Sequence, residues 1–186
     1  MVVLCTWLMA CAPYALMHSP ETVAPESFER RVNLNVPFLG GEPNCIGVLA
    51  FTSFIHRVGL SSQLDAGLRF GLAEGFSGDL KYQILDKPFI VSTDLAFSIA
   101  PGYDDTGMLL GAHPMILFGT QNTYFAVKIM TFYDKKNRVN YNPVGLHIAH
   151  AVGKDFRWIP SISVYIDPVG EEGTAVFFSV GFSWII

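Results

Sequence analysis

Residues 174–186 read Thr174-Ala175-Val176-Phe177-Phe178-Ser179-Val180-Gly181-Phe182-Ser183-Trp184-Ile185-Ile186. Val176, Phe178, Val180, Phe182, Trp184 and Ile186 share one parity, and Phe177, Ser179, Gly181, Ser183 and Ile185 the other. Successive side chains of a strand point to opposite faces, so this period of two predicts a strand with one bulky apolar face and one mostly small face. Upstream segments repeat it. Val32, Leu34, Val36 and Phe38 alternate with Arg31, Asn33 and Asn35; Leu64, Ala66, Leu68, Phe70 and Leu72 alternate with Asp65, Gly67, Arg69 and Gly71. Leu80, Tyr82 and Ile84 oppose Asp79, Lys81 and Gln83, and Phe89 to Ile99 oppose a face holding Ser92, Asp94 and Ser98.

Ten strands follow, over 29–38, 46–57, 63–72, 76–85, 89–99, 107–118, 123–133, 142–152, 156–166 and 174–186. Residues 46–57 and 107–118 are apolar on both faces, which leaves their phase open and eight strands as the alternative. Short turns follow the even strands at Ser61-Ser62, Asp86-Lys87-Pro88, Thr120-Gln121-Asn122 and Gly153-Lys154-Asp155; longer connections mostly follow the odd ones. An even strand number, short turns at one end and strands of 9–11 residues are the properties of an antiparallel up-and-down barrel crossing an outer membrane.

The sense of the two faces separates that from a soluble barrel. Only 15% of the residues are charged and 51% are apolar, against roughly 25% charged in ordinary soluble domains. A soluble exterior would carry several charges on each strand. Here one face is almost continuously apolar, and the other sets single charges, Arg31, Asp65, Arg69, Asp79, Lys81, Asp94, Lys128 and Arg157, among Gly, Ser and Ala. The sparse set suits a narrow lumen in which each buried charge needs a partner. Aromatic residues near the strand ends, among them Phe70, Phe76, Tyr82, Phe89, Phe156, Trp158 and Trp184, are placed as interface girdles would be. The net charge of −4 gives no basic face for a nucleic acid.

Residues 1–17 are almost wholly apolar and are read as an export segment. Within them Leu8-Met9-Ala10-Cys11 resembles the bacterial lipobox, whose cysteine is lipidated and becomes N-terminal on cleavage, although no Lys or Arg precedes Arg30. The expected organisation is a signal peptide over 1–10, an extended tether over 11–27 with Pro13, Pro20 and Pro25, and a barrel over 28–186. The chain's cysteines have no metal-ligand spacing, and neither metal nor cofactor is expected.

The last strand resembles the C-terminal signal read by the barrel assembly machinery, through Phe178, Val180, Phe182, Trp184 and Ile186, with Ile186 where such signals usually carry Phe or Trp. A second resemblance rests on Arg57-Val58-Gly59-Leu60, Leu64-Asp65-Ala66-Gly67-Leu68-Arg69-Phe70-Gly71 and Gly78-Asp79-Leu80-Lys81-Tyr82. This stretch looks like a pattern of small, largely uncharacterised bacterial outer-membrane barrel lipoproteins. The resemblance implies an outer-membrane location with a lipid on the periplasmic side, and outer-membrane lipids as partners. It implies no reaction.

Chemistry in the chain would fall to His56, His113, His147 and His150, of which His147 and His150 differ in parity and point to opposite faces. No Ser-His-acid grouping assembles from strand phase. Asp65, Arg69, Asp79 and Lys81, inward on adjacent strands, are read as a lumen-filling ion-pair network ahead of a selectivity constriction. The expected role is structural, in the envelope and without enzymatic activity, with a filled lumen or a narrow channel. The alternatives are a barrel-embedded enzyme acting on membrane lipids and a soluble lipocalin-like binding barrel.

Overall fold

The computed structural model describes residues 19–38, 52–71, 75–101, 108–134, 139–153, 156–166 and 174–186. Their regular elements are all strands: β1 (Phe28–Phe38), β2 (Thr52–Gly59), β3 (Leu64–Gly71), β4 (Gly75–Leu85), β5 (Ile90–Pro101), β6 (Met108–Gly119), β7 (Thr123–Ile129), β8 (Thr131–Asp134), β9 (Val139–Tyr141), β10 (Val144–His150), β11 (Phe156–Ile166) and β12 (Thr174–Ile185). These segments make ten strands, because β7 with β8 and β9 with β10 are each one strand interrupted once.

The interruption has a local cause. Met130 N–H donates to the carbonyl of Pro143 at 2.9 Å, but Pro143 has no N–H to return the bond. The register runs on unchanged: Met115 faces Lys128 and, three residues along both strands, Ala112 faces Thr131.

Every pairing between these strands is antiparallel, each strand beside its neighbours in sequence, and β1 on β12 closes the sheet. The closing register sets Glu29 opposite Ile185, and Phe28 and Ile186 exchange backbone bonds at 3.0 and 2.8 Å. The result is a closed ten-stranded up-and-down barrel. Closure leaves no sheet edge. The described part of the second strand is Thr52–Gly59; residues 46–51, which the sequence reading places in the same strand, lie outside the described residues, as do Cys11 and the segment 1–10. The turns at 60–63, 86–89 and 120–122 surround one end, here the near mouth, together with the start of β1 and the end of β12.

Parity decides what lies inside. On β3, Asp65, Gly67, Arg69 and Gly71 are buried, while Leu68 and Phe70 are exposed. The two segments of open phase now have one: Ser53, Ile55, Arg57 and Gly59 face inward from β2, and His113, Met115 and Leu117 from β6. The interior is not the uniformly small, charge-dotted face that the sequence suggests. Met115, Leu117, Tyr124, Ala126, Ala149, Ala151 and Ile159, from β6, β7, β11 and the stretch of β10 with the residue after it, form an apolar cluster inside the barrel.

Candidate functional site

The lumen brings the ionisable side chains together. Arg31, Asp65, Arg69, Asp79, Lys81, Asp94 and Lys128 are buried on the inward face, and Arg157 is half-buried on it. Their densest group lies on β2 to β4. Arg57 pairs with Asp65 and, at 2.6 Å, with Asp79, while Lys81 Nζ lies 3.1 Å from Asp65. Asp65 is 0% and Lys81 1% exposed, so water screens neither, and each charge depends on its partners.

Backbone register builds this group. Gly67 stands opposite Arg57 on one side and Asp79 on the other. A Cβ at Gly67 would overlap Arg57 Nη1 and both carboxylate oxygens of Asp79. The glycine therefore leaves the gap through which the guanidinium reaches across a strand. Asp65 faces Lys81 directly, and Lys81 faces Asp94 on β5. Asp94 also interacts with Arg57, Lys128 and Arg69. A separate pair, Glu29 with Arg31, sits where β1 meets β12, and Ser183 Oγ donates to Glu29 at 2.6 Å.

Arg57 and Glu29 escaped the sequence reading. Arg57 lies on the strand whose two faces look alike, and Glu29 opens its strand before any alternation is established. A signal for Arg57 exists in the hairpin: a turn over 60–63 pairs Gly59 with Asp65, which forces Arg57 opposite Gly67.

The histidines divide. His56 lies on the outer face beside Phe28, ring centroids 5.6 Å apart, and His150 is exposed, Nδ1 2.7 Å from Thr123 Oγ1. His113 and His147 are in the lumen. His113 Nε2 is 2.6 Å from Ser98 Oγ; His147 Nδ1 is 2.7 Å from Ser163 Oγ and its ring meets Tyr165 edge-on. Both follow a glycine two residues back on the same face, and a Cβ at Gly111 or Gly145 would strike the imidazole. A serine hydroxyl on an imidazole is the first requirement of nucleophilic catalysis. A preorganised oxyanion site is the second, and these serines lie mid-strand, where backbone N–H groups are engaged in the ladder. No group of three or more His, Cys, Asp or Glu among the described residues could hold a metal ion.

The sequence matches no protein-family model and no curated protein. In architecture the chain is similar to OccAB4 of Acinetobacter baumannii, with a TM-score of 0.34 and 9% identity over 73% of this chain and 52% of that one. The chain thus spans about half the length of that protein.

Proposed function

We propose that this protein is an outer-membrane barrel lipoprotein with a structural role in the bacterial envelope and a lumen filled by its own side chains. The carrying observation is the inversion of its two faces. Buried inside are Arg57, Asp65, Asp79, Lys81 and Asp94; exposed outside are Phe54, Leu68, Phe70, Leu80, Ile84, Leu95, Phe97, Ile116, Leu146 and Ile162. An apolar exterior of that extent in water would associate or aggregate, whereas hydrocarbon solvates it. Exposed aromatics lie toward both ends, Tyr82, Phe89, Phe156 and Trp158 at the near mouth and Phe70, Phe76 and Tyr133 at the other. That supports two interface girdles.

In this reading the near mouth is periplasmic, lipid on Cys11 enters the inner leaflet, and the last strand is the part offered to the assembly machinery. The paired charges, apolar cluster and histidine–serine contacts fill the interior, as side chains do in barrels of about eight strands. The enzyme alternative would require an oxyanion site within reach of Ser98 or Ser163.

The test is the full chain refolded in detergent and run on a cold denaturing gel with and without boiling. Closed barrels resist detergent until heated, because every strand is paired and no edge is open. The expected outcome is a mobility shift on boiling. No shift, together with solubility in plain buffer, would leave a soluble binding barrel as the better account. Cys11→Ala should abolish metabolic incorporation of labelled palmitate; continued incorporation would remove the anchor from the proposal.

A further inference from the structure

The segment before β1 is not free of the barrel: Ser19 to Pro25 lies across the near mouth and is bound there along its main chain. Lys81 Nζ donates to the carbonyls of Ser19 (3.0 Å) and Glu21, and Ser92 Oγ to that of Pro20. The N–H of Thr22 donates to Gln83 Oε1 at 3.0 Å, and that of Val23 to Asp65 Oδ2 at 2.9 Å. Gln121, in the turn between β6 and β7, reaches Glu21 Oε1 at 2.8 Å. Pro20 and Val23 are buried. We infer that residues 19–25 are a displaceable plug, closing the near mouth over the ion-pair network and able to leave it while the barrel stays shut.

Two features make displacement local. First, the two charged wall groups that hold the plug have other partners. Asp65 and Lys81 keep each other, and Asp65 keeps Arg57, when the plug departs. Water can then replace the main-chain bonds at the opened mouth. Second, the chain has a bend between plug and sheet. Glu26 adopts φ 63°, a left-handed conformation that costs a non-glycine residue energy, and β1 begins only at Phe28. Pro25 keeps one parallel bridge to Gly59, but the pairings of β1 with β2 and β12 start at Phe28 and Glu29 and do not include the plug. The device belongs to the closed barrel and goes beyond the structural role proposed above.

Gly59 supplies a lever outside the plug. A Cβ there would overlap the carbonyl oxygens of Ala24 and Val23, so Gly59→Ala pushes the segment off its seat. The experiment places Ser92→Cys in the full chain, with Cys5→Ser, Cys11→Ser and Cys45→Ser, and measures labelling at position 92 by a small charged methanethiosulfonate. Labelling should be slow in this parent and at least ten-fold faster with Gly59→Ala. Equal rates, with the heat-dependent gel shift kept in both proteins, would overturn the plug and leave the barrel reading standing. Loss of the shift in the parent would instead count against the barrel. Should Gly59→Ala alone lose its shift, hydrogen exchange on the unsubstituted chain decides. The amides of Thr22 and Val23 should exchange at least a hundred-fold faster than those of Asp65 and Lys81, and equal protection overturns the proposal.

Discussion

Two walls of the same lumen are filled by opposite chemistries. On β2 to β5 the interior is ionic, with Arg57, Asp65, Asp79, Lys81 and Asp94; on β6, β7, β10 and β11 it is dominated by the apolar cluster around Leu117, Tyr124 and Ile159, beside which lie Lys128, His113 and His147. Both exclude water, but they specify structure differently. An apolar contact is tolerant in direction and rewards close packing. A desolvated ion pair is unforgiving, since a one-residue slip would turn Asp65 and Lys81 outward and strand their partners. The ionic wall is therefore the one that fixes register, and the apolar wall the one that fills volume.

The largest expected effect tests that division. Arg57→Met leaves Asp79 without its guanidinium and Asp65 with Lys81 and the Val23 N–H. It should lower stability by about 3–5 kcal/mol, read as a fall in the temperature at which the gel shift is lost. The double variant Arg57→Met with Asp79→Leu should recover much of this, because no unpaired charge is left at those positions. If the double variant is as unstable as the single one, the pair holds more than its own charges. On the other wall, Leu117→Ala should cost about 2–4 kcal/mol by opening a cavity, with chemical denaturation as the measurement. A loss far below that would mean the apolar wall is loosely packed. Smallest is Gly67→Ala, whose added Cβ crowds Arg57 and Asp79. It should cost about 1–3 kcal/mol as overpacking, and little of that should remain in the background lacking both charges. A cost unchanged by that background would place the strain in the backbone.

The contrast also governs what could be read from the chain. Strands with an ionic or small inner face, such as β3, β4 and β12, advertise themselves, because their inner and outer residues differ in kind. The apolar wall hides. On β6, Met115 and Leu117 inside mirror Ile116 and Phe118 outside, so alternation vanishes although the strand is regular. The inward placement of Arg57 stayed hidden for the same reason, since the segment before it is apolar on both faces. Parity alone set the eight charges named from sequence on one face. It could not say which would pair, since Arg57 meets Asp79 across an intervening strand at a glycine. Least legible was the destination of residues 19–27. Their prolines give away an extended chain, but the bonds that seat them run from wall side chains to main-chain atoms, which leave no pattern in residue type.

The seam between β1 and β12 has a consequence for how the molecule assembles. All other pairings join strands adjacent in sequence, whereas Glu29 meets Ile185 only after nearly the whole chain has been traversed. Closing a loop of that length costs about 2–3 kcal/mol more than closing a hairpin, by the logarithmic growth of loop entropy. The topological cost of this barrel is thus concentrated in one seam. Hairpins can nucleate independently along the chain, but the cylinder exists only once its two distant strands have found each other, and contacts of such long sequence separation are the slow ones to form.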